Sequence, residues 1–286
     1  MRERIDLHIH SNHSDGLFSP QKIVYVASRN YVRAISITDH DNISAIHEVR
    51  TYGEKMGVEI VPGLELSAQQ DGRDIHFLGY YIDENSPKLL EYLTFFKEER
   101  IKRAQKILSI LGQIGIPIDF EEVLQKSPNG SLGRPHIADV LTEKGFVQNR
   151  VEAFNRYLGT SAVAFVPQYR LSSKDAIQLI NSAGGISVVA HTGLEFIEDY
   201  LPQWVGEFGL KGLEVIHPRF SAYQTFHLQR LAKKFNLVMT GGSDCHGDRN
   251  NGEGIIGNYY VPYKYLIQLK KCAGIVDAPV KTNNLP

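Results

Sequence analysis

The sequence predicts an α/β fold in which a parallel sheet, open or closed into a barrel, is covered by helices. Two observations predict it. Short, nearly continuous apolar runs alternate with amphipathic helical stretches through the first 86 residues and again from residue 166 onward. Between these parts, residues 87–165 read as helix after helix, so a helical insertion interrupts the βα rhythm. The expected division is 1–86 for the first part of the sheet domain, 87–165 for the insertion and 166–286 for the second part.

In chain order, RIDLHIH is the first expected strand. Ser19-Pro20 then opens a helix, with serine as N-cap and proline at the first position, where its missing N–H costs nothing. AISITDH is the second strand, and Asn42 is expected to cap a helix running through Met56. VEIVPGLELS and DIHFLGYYI come next as strands. The insertion opens with the charged, amphipathic PKLLEYLTFFKEERIKRAQKILSIL. It continues in pieces near 119–126, 134–144 and 149–158, with Gly and Pro breaks that include Lys126-Ser127-Pro128-Asn129-Gly130. Its aromatics Tyr92, Phe95, Phe96 and Tyr157 read as core of the insertion. The rhythm resumes with GISVVAH (185–191), GLEVIH (212–217) and LVMTGGSDCH (237–246), which brings the strands to seven. Helices near 172–183, 195–208 and 221–235 separate them, and VDAPVKTNNLP is a polar tail that need not be ordered.

Composition narrows the function. A chain of 286 residues, 42% apolar and 22% charged, buries a core without disulfide staples. Two cysteines, Cys245 and Cys272, and a polar start point to a reduced, cytoplasmic setting. No apolar run approaches the roughly 20 residues of a spanning helix, so no membrane partner is expected. A net charge of −1 argues against a surface that tracks extended duplex nucleic acid. A nucleotide or a short strand end remains open.

Residues two apart on a strand face the same way, so His8 and His10 can direct two imidazoles at one metal. An isolated His-x-His is equally compatible with two ordinary polar side chains. Here, however, each later strand is also expected to end in a metal-competent residue: His40 after AISIT, Glu65 in GLELS, His76 in DIHFLG, His191 in VVAH, then Asp244 and His246 in SDCH. Parallel α/β folds gather function at the C-terminal ends of their strands, so these side chains are expected to converge, joined by Asp15 from the loop HSNHSDG. Nine ligands are too many for one ion and suit two or three divalent ions, Mn, Fe or Zn, with Glu65 bridging. Asp6 and Asp39 read as partners that orient ligands. His13 is open between a surrogate ligand and a solvent-facing loop residue, and Cys245 is expected to point away as a small buried thiol.

HIHSNHSDG, ITDHD, GLELS, DIHFLGY, VVAHTG and GGSDCH resemble, in order, the metal-binding motifs of the PHP (polymerase and histidinol phosphatase) superfamily. The insertion and GRPHIADVL resemble its branch of nucleotide phosphatases and 5′-to-3′ exoribonucleases. This resemblance implies a distorted seven-stranded (β/α) barrel with a trinuclear site. Carried over by motif, His8, His10, Glu65 and Asp244 hold one ion, Glu65, His76 and His191 a second, and Asp15, His40 and His246 the third. Thr192 stands where relatives often carry proline.

The chemistry expected of such a site is phosphoester hydrolysis by hydroxide generated on the shared ions, with His8, His10, Glu65, His191 and Asp244 as the catalytic set. Arg134 and His136, at a helix start in GRPH, and His217 and Arg219 after a later strand are candidates to bind substrate. His47 and His227 are assigned no chemistry. The leading substrate is a 3′,5′-bisphosphonucleoside or the 5′ end of short RNA. Histidinol phosphate or another small phosphomonoester is the alternative within the family, and a non-catalytic, metal-stabilised module that binds a phosphorylated ligand is the alternative of another class.

Overall fold

A computed structural model describes residues 4–127, 131–247 and 254–275. The Pro128-Asn129-Gly130 break and the VDAPVKTNNLP tail lie outside the described residues. The chain opens with β1 (Arg4–Ile9), α1 (Pro20–Arg29), β2 (Val32–Ile37) and α2 (Ile46–Met56). Ser19 caps α1 as expected, its Oγ accepting the Lys22 N–H at 3.2 Å. The expected cap at Asn42 is corrected, since α2 begins only at Ile46. The Asn42 side chain is occupied in the preceding loop, accepting from Ser44 N (2.9 Å) and donating to the His13 carbonyl (2.6 Å).

VEIVPGLELS is two strands, β3 (Glu59–Ile60) and β4 (Gly63–Gln70), which belong to different sheets. Pro62, between them, has no N–H to continue a ladder. β4 returns directly as β5 (Arg73–Tyr80) through Asp71-Gly72, both at positive φ (49° and 75°), the conformation of a tight hairpin turn. β5 therefore runs antiparallel to β4 and to its other neighbour, which corrects the expectation of a wholly parallel sheet. Glu65 and His76 lie inside β4 and β5, which corrects the expectation that each ends its strand, yet both meet the residues placed after parallel strands.

The segment between comprises α3 (Pro87–Gln113), α4 (Phe120–Leu124), α5 (Arg134–Glu143) and α6 (Arg150–Ala153), with a wide π turn at Phe154–Leu158. Leu108, Leu111, Ile137, Leu141 and Leu158 form a hydrophobic core of their own. α3 serves two cores. Its first half buries Leu89, Leu93 and Phe96 in the main core, with Tyr92 against it, and its second half enters the smaller one. Tyr92 and Phe96 thus pack on the sheet domain, whereas Tyr157 packs in the helical core. Phe95 is largely exposed, edge-on to Tyr169.

The chain continues through β6 (Leu171–Ser172), α7 (Ser173–Ser182), β7 (Ile186–Val189), α8 (Leu194–Gln203), β8 (Gly212–Ile216), α9 (Ala222–Lys234) and β9 (Val238–Gly241). β10 (Val261–Pro262) and α10 (Tyr263–Cys272) were not anticipated, although Tyr265, Leu266 and Leu269 give the latter a buried face. No helix among the described residues is long and apolar enough to cross a membrane.

Two sheets result, ordered β10-β1-β2-β3 and β6-β4-β5-β7-β8-β9. Seven strands, β1, β2, β4, β5, β7, β8 and β9, succeed one another around a ring, but the ladder is not continuous. At two seams it thins to single bridges, Ile9 with Cys245 and His40 with Glu65. His10 N donates to Cys245 O (3.0 Å) and Asp244 N to His8 O (2.8 Å) across the first seam. Glu65 N donates to Asp39 O (3.1 Å) and Asp41 N to Glu65 O (2.8 Å) across the second.

The first seam is tight because Gly242 lies against β1: a Cβ there would meet His8 N at 2.4 Å and His8 Cβ at 2.5 Å. Gly242→Ala is therefore expected to lower stability by about 1–3 kcal/mol by overpacking. It should also displace His8, so thermal unfolding with and without Mn²⁺ should show a smaller stabilisation by metal than in the wild type.

Candidate metal centre

The site is organised around the Glu65 carboxylate, carried on β4 and fully buried. One oxygen, Oε2, faces His8 Nε2 (3.4 Å), His10 Nε2 (3.1 Å) and His40 Nδ1 (3.2 Å). The other, Oε1, faces His76 Nδ1 (2.8 Å) and His191 Nε2 (3.1 Å). Asp244 Oδ1 lies 3.5 Å from His8 Nε2 and 3.2 Å from His10 Nε2. Asp15 Oδ1 lies 3.3 Å from His246 Nε2 and 4.0 Å from His10 Nδ1. The structure thus brings together all nine residues expected as ligands. Their donor atoms form compact groups: His10, Asp15, His40 and His246; His8, Glu65 and His191; and His40, Glu65 and His76. A further group, His8, His217 and Asp244, adds a histidine expected to contact substrate.

Behind these side chains lies a layer of carboxylates. Glu214, buried in β8, accepts from His8 Nδ1–H (2.9 Å) and from His191 N (2.8 Å), which fixes the His8 ring with Nε2 facing Glu65 and Asp244. Sequence reasoning missed Glu214, though a lone acid inside the apolar GLEVI was its signal. Asp39 orders the HSNHSDG loop by accepting from Ser11 N (2.7 Å), Ser11 Oγ (2.6 Å) and Ser14 Oγ (2.6 Å). Asp6 holds Ser243 N (2.9 Å) and Gly257 N (3.0 Å), fixing the approach to Asp244. Asp41 accepts from Ser67 N (2.8 Å) and Oγ (2.9 Å) and pairs with Arg100 of α3. His13 is buried, not solvent-facing; its Nδ1 is 2.7 Å from Ser44 Oγ, apart from the ligand groups. Cys245 is buried among apolar side chains behind the strand, as expected.

The electrostatics demand a positive guest. Burial alone would raise the Glu65 carboxyl, but His40, His76, His8 and His10 hold it well below the usual carboxylate range. Burial likewise opposes charge on His10, yet its contacts with Asp244 and Glu65 push it up to about 10. Neighbouring His40 is driven by burial down to about 3. Moreover, His10 Nδ1 and Nε2, Asp15 Oδ1, His40 Nδ1 and His76 Nδ1 are buried with no hydrogen-bond partner. The imidazole nitrogens stand at ion-pair distance from carboxylates, and Asp15 Oδ1 from His246, without the angles of a hydrogen bond. Orphaned lone pairs converging on buried carboxylates fit divalent cations, which satisfy them all at once.

Beside the histidines opens a pocket of about 200 Å³ lined by Arg100, Arg103, Arg134 and Arg170 together with Asp15 and His76. Arg170 pairs with Asp74 (2.7 Å) and Arg100 with Asp41. Arg103 and Arg134 have no carboxylate partner among the described residues: Arg103 donates to Val166 O (2.8 Å) and Gln168 Oε1 (2.9 Å), and Arg134 to Leu158 O (2.9 Å). Burial, with Arg134, Arg100 and Arg170 nearby, lowers Arg103 to about 9. Arg134 was expected from sequence, whereas Arg100, Arg103 and Arg170 were not. Arg100 and Arg103 at i and i+3 on the buried face of an amphipathic helix were the available signal. His136 is not in this pocket; it is buried and its Nδ1 accepts the Gly133 N–H (3.0 Å), closing its own helix. His217 is also buried: its Nδ1 accepts the Arg219 N–H (3.1 Å), so Nε2 carries the proton and donates to Asp244 Oδ2 (3.2 Å). Arg219 is exposed at the edge of a second cleft.

Imidazoles and carboxylates crowded at one end of an α/β ring, with a basic pocket adjoining, define a metal-dependent hydrolase acting on an anionic ester. The model of the PHP domain matches residues 6–125. A 5′-3′ exoribonuclease of Haemophilus influenzae is 35% identical over 86% of this chain and 91% of its own. A phosphoribosyl 1,2-cyclic phosphate 1,2-diphosphodiesterase of Eggerthella lenta is 30% identical over 85% and 94%. A 3′,5′-nucleoside bisphosphate phosphatase of Chromobacterium violaceum is 27% identical over 88% and 90%. A crystal structure from Bifidobacterium adolescentis, described as of a metal-dependent phosphoesterase, superposes with a TM-score of 0.87 at 26% identity, covering 96% of this chain and 97% of that one. The chain belongs to the PHP family, and with it to the metal-dependent hydrolases of phosphoester bonds.

The layered geometry sets two expectations. Glu214→Gln, which keeps shape but weakens the hold on His8, should reduce metal affinity about 10–100-fold, measured by competition with a chelator. Metal uptake near pH 7 should release protons, because His10 is protonated there when its pKa stands at about 10 and a ligand must be neutral. Affinity should therefore rise with pH toward that value, and calorimetry in buffers of different ionisation enthalpy counts the protons.

Proposed function

We propose that the protein hydrolyses nucleotide phosphates, either a 3′,5′-bisphosphonucleoside or the 5′-terminal nucleotide of short RNA. The observation that carries this reading is the arginine pocket next to the metal centre. A site for a single phosphomonoester needs no second cationic pocket, whereas a nucleotide with two phosphates fills both. Arg103 and Arg134, lacking carboxylate partners, are the groups free to take the terminal phosphate. The same crowd of guanidinium groups disfavours histidinol phosphate, whose amine is cationic. The complete set of ligand-competent residues disfavours a non-catalytic module.

Three ions are the reading best suited to the donor set: His8, His10, Glu65 and Asp244 for one, Glu65, His76 and His191 for the second, and Asp15, His40 and His246 for the third. Imidazole with carboxylate favours Mn, Fe or Zn. Bound there, such cations supply Lewis acidity and a water made acidic near neutral pH. The chain does the rest. Glu65 holds both halves of the centre at a fixed spacing, and Glu214 keeps His8 in the tautomer that presents Nε2. His217 steers Asp244 through the hydrogen bond to Oδ2, a positioning role in place of the expected phosphate contact. Arg103 and Arg134 fix the far end of the substrate so that its phosphorus lies over the histidines, where proximity lowers the barrier. Two unpaired cysteines, Cys245 and Cys272, agree with a reduced, cytoplasmic location.

With Mn²⁺ supplied, phosphate or nucleotide release is expected from 3′,5′-bisphosphonucleosides and short 5′-phosphorylated RNA, and much less from mononucleotides and histidinol phosphate. Turnover of histidinol phosphate or a cyclic phosphate alone would overturn the nucleotide reading. Asp244→Ala should abolish turnover, while Arg134→Ala should raise KM by about 10-fold or more with kcat nearly retained, the pattern of a group that binds without touching the reacting atoms.

A further inference from the structure

A second cleft, of about 350 Å³, adjoins the metal centre on the other side of His76. Asp74 and His76 line both this cleft and the arginine pocket, so they form the wall between the two. Its remaining walls come from Arg73 on β5, from His191 and Thr192 after β7, from Phe196 on α8 and from Arg219 after β8. The volume lies in the range of small-ligand sites.

The cleft is preformed. The Arg73 guanidinium lies 5.3 Å from the centre of the Phe196 ring. Phe196 in turn packs on Tyr200 (4.6 Å between centroids), and Tyr200 stacks on the buried Trp204 (5.7 Å). The Tyr200 hydroxyl is hydrogen-bonded to Asp71 in the β4–β5 turn, so the hairpin and α8 are tied together across the rim. Arg73 and Arg219 form no ion pair among the described residues, which leaves two cations lining an open space, one of them laid over the Phe196 ring.

We propose that this cleft receives the nucleoside beyond the scissile phosphorus, the one that continues a strand toward its 3′ end. The base would lie against the Arg73–Phe196 wall, and Arg219 would meet the next phosphate. This rests on the nucleotide reading above and extends it. The arginine pocket takes the terminal phosphate, the histidines take the scissile one, and the second cleft takes the adjoining nucleoside, so the preferred substrate is a 5′-phosphorylated oligonucleotide end. A base stacked on a guanidinium that is itself backed by the Phe196 ring explains tolerance of sequence, because every base has a π face.

The test compares two substrates that differ only in that nucleoside: a 5′-phosphorylated dinucleotide and the corresponding 3′,5′-bisphosphonucleoside, each assayed with the Mn²⁺-loaded full chain. In the wild type, kcat/KM should be higher for the dinucleotide. Phe196→Ala should lower the ratio of the two kcat/KM values by about 10-fold, through KM on the dinucleotide, and Arg219→Ala should do so only when the dinucleotide also carries a 3′-phosphate. Phe196→Tyr should restore the ratio. Loss on both substrates equally would mean that the residues support the metal centre, and an unchanged ratio would mean that the cleft is unused; either overturns the assignment while leaving the nucleotide reading intact. Wild-type enzyme that cleaves neither substrate but hydrolyses p-nitrophenyl phosphate would overturn both.

Discussion

One buried carboxylate sets the terms for the whole molecule. Glu65 is surrounded by five imidazoles from four separate segments of chain, and no solvent reaches it. Such a cluster has no use in an apolar core and would weaken one, since buried polar groups without partners are costly. The fold therefore encloses the cluster in backbone and secondary carboxylates. β1 delivers two imidazoles, the hairpin brings His76 back against Glu65, and β8 contributes Glu214 from behind. The strands are ordered so that these groups meet, and the helices cover the outer faces that the meeting leaves apolar.

The helical segment is coupled to this cluster and does not simply sit above it. Arg100 reaches from α3 to Asp41, the residue after His40, and Asp41 in turn fixes Ser67 two residues past Glu65. Breaking a buried pair of this kind by removing one partner typically costs about 3–5 kcal/mol, so the segment and the centre are bound energetically. Asp41 and Asp244 both adopt positive φ (49° each), an uncommon conformation for a non-glycine residue. Both adjoin or belong to the ligand set, and the surrounding hydrogen bonds hold them there. The arginine pocket and the cluster around Glu65 are thus parts of one network.

Much of this was legible in the sequence because it depends on short-range order. Period-two spacing paired His8 with His10, and strand ends carried His40, His191, Asp244 and His246 to one place. Glu65 and His76 were placed at strand ends by the same rule, but they lie inside β4 and β5, because the Asp71-Gly72 turn reverses β5 and a rule based on parallel strands cannot anticipate that. The features that stayed hidden depend on tertiary contact. Glu214 looks like one acid in an apolar strand until its partner is known, and Arg100 and Arg103 look like the charged side of a helix whose inner face they in fact occupy. His136 shows the reverse case: its place in GRPH suggested substrate, but its ring is consumed in capping a helix. α10 escaped because its apolar spacing carries no start signal, its cap position being Pro262.

The two seams in the ring acquire meaning from where they fall. Each is a place where adjacent strands share a single bridge, and each is flanked by residues of the clustered donor groups: His8, His10, Asp244 and His246 at one, His40 and Glu65 at the other. Cations bound among them would act as rivets across joints that the backbone leaves nearly open. Closure of the ring would then be partly ionic, and a chelator would loosen the fold as well as inhibit.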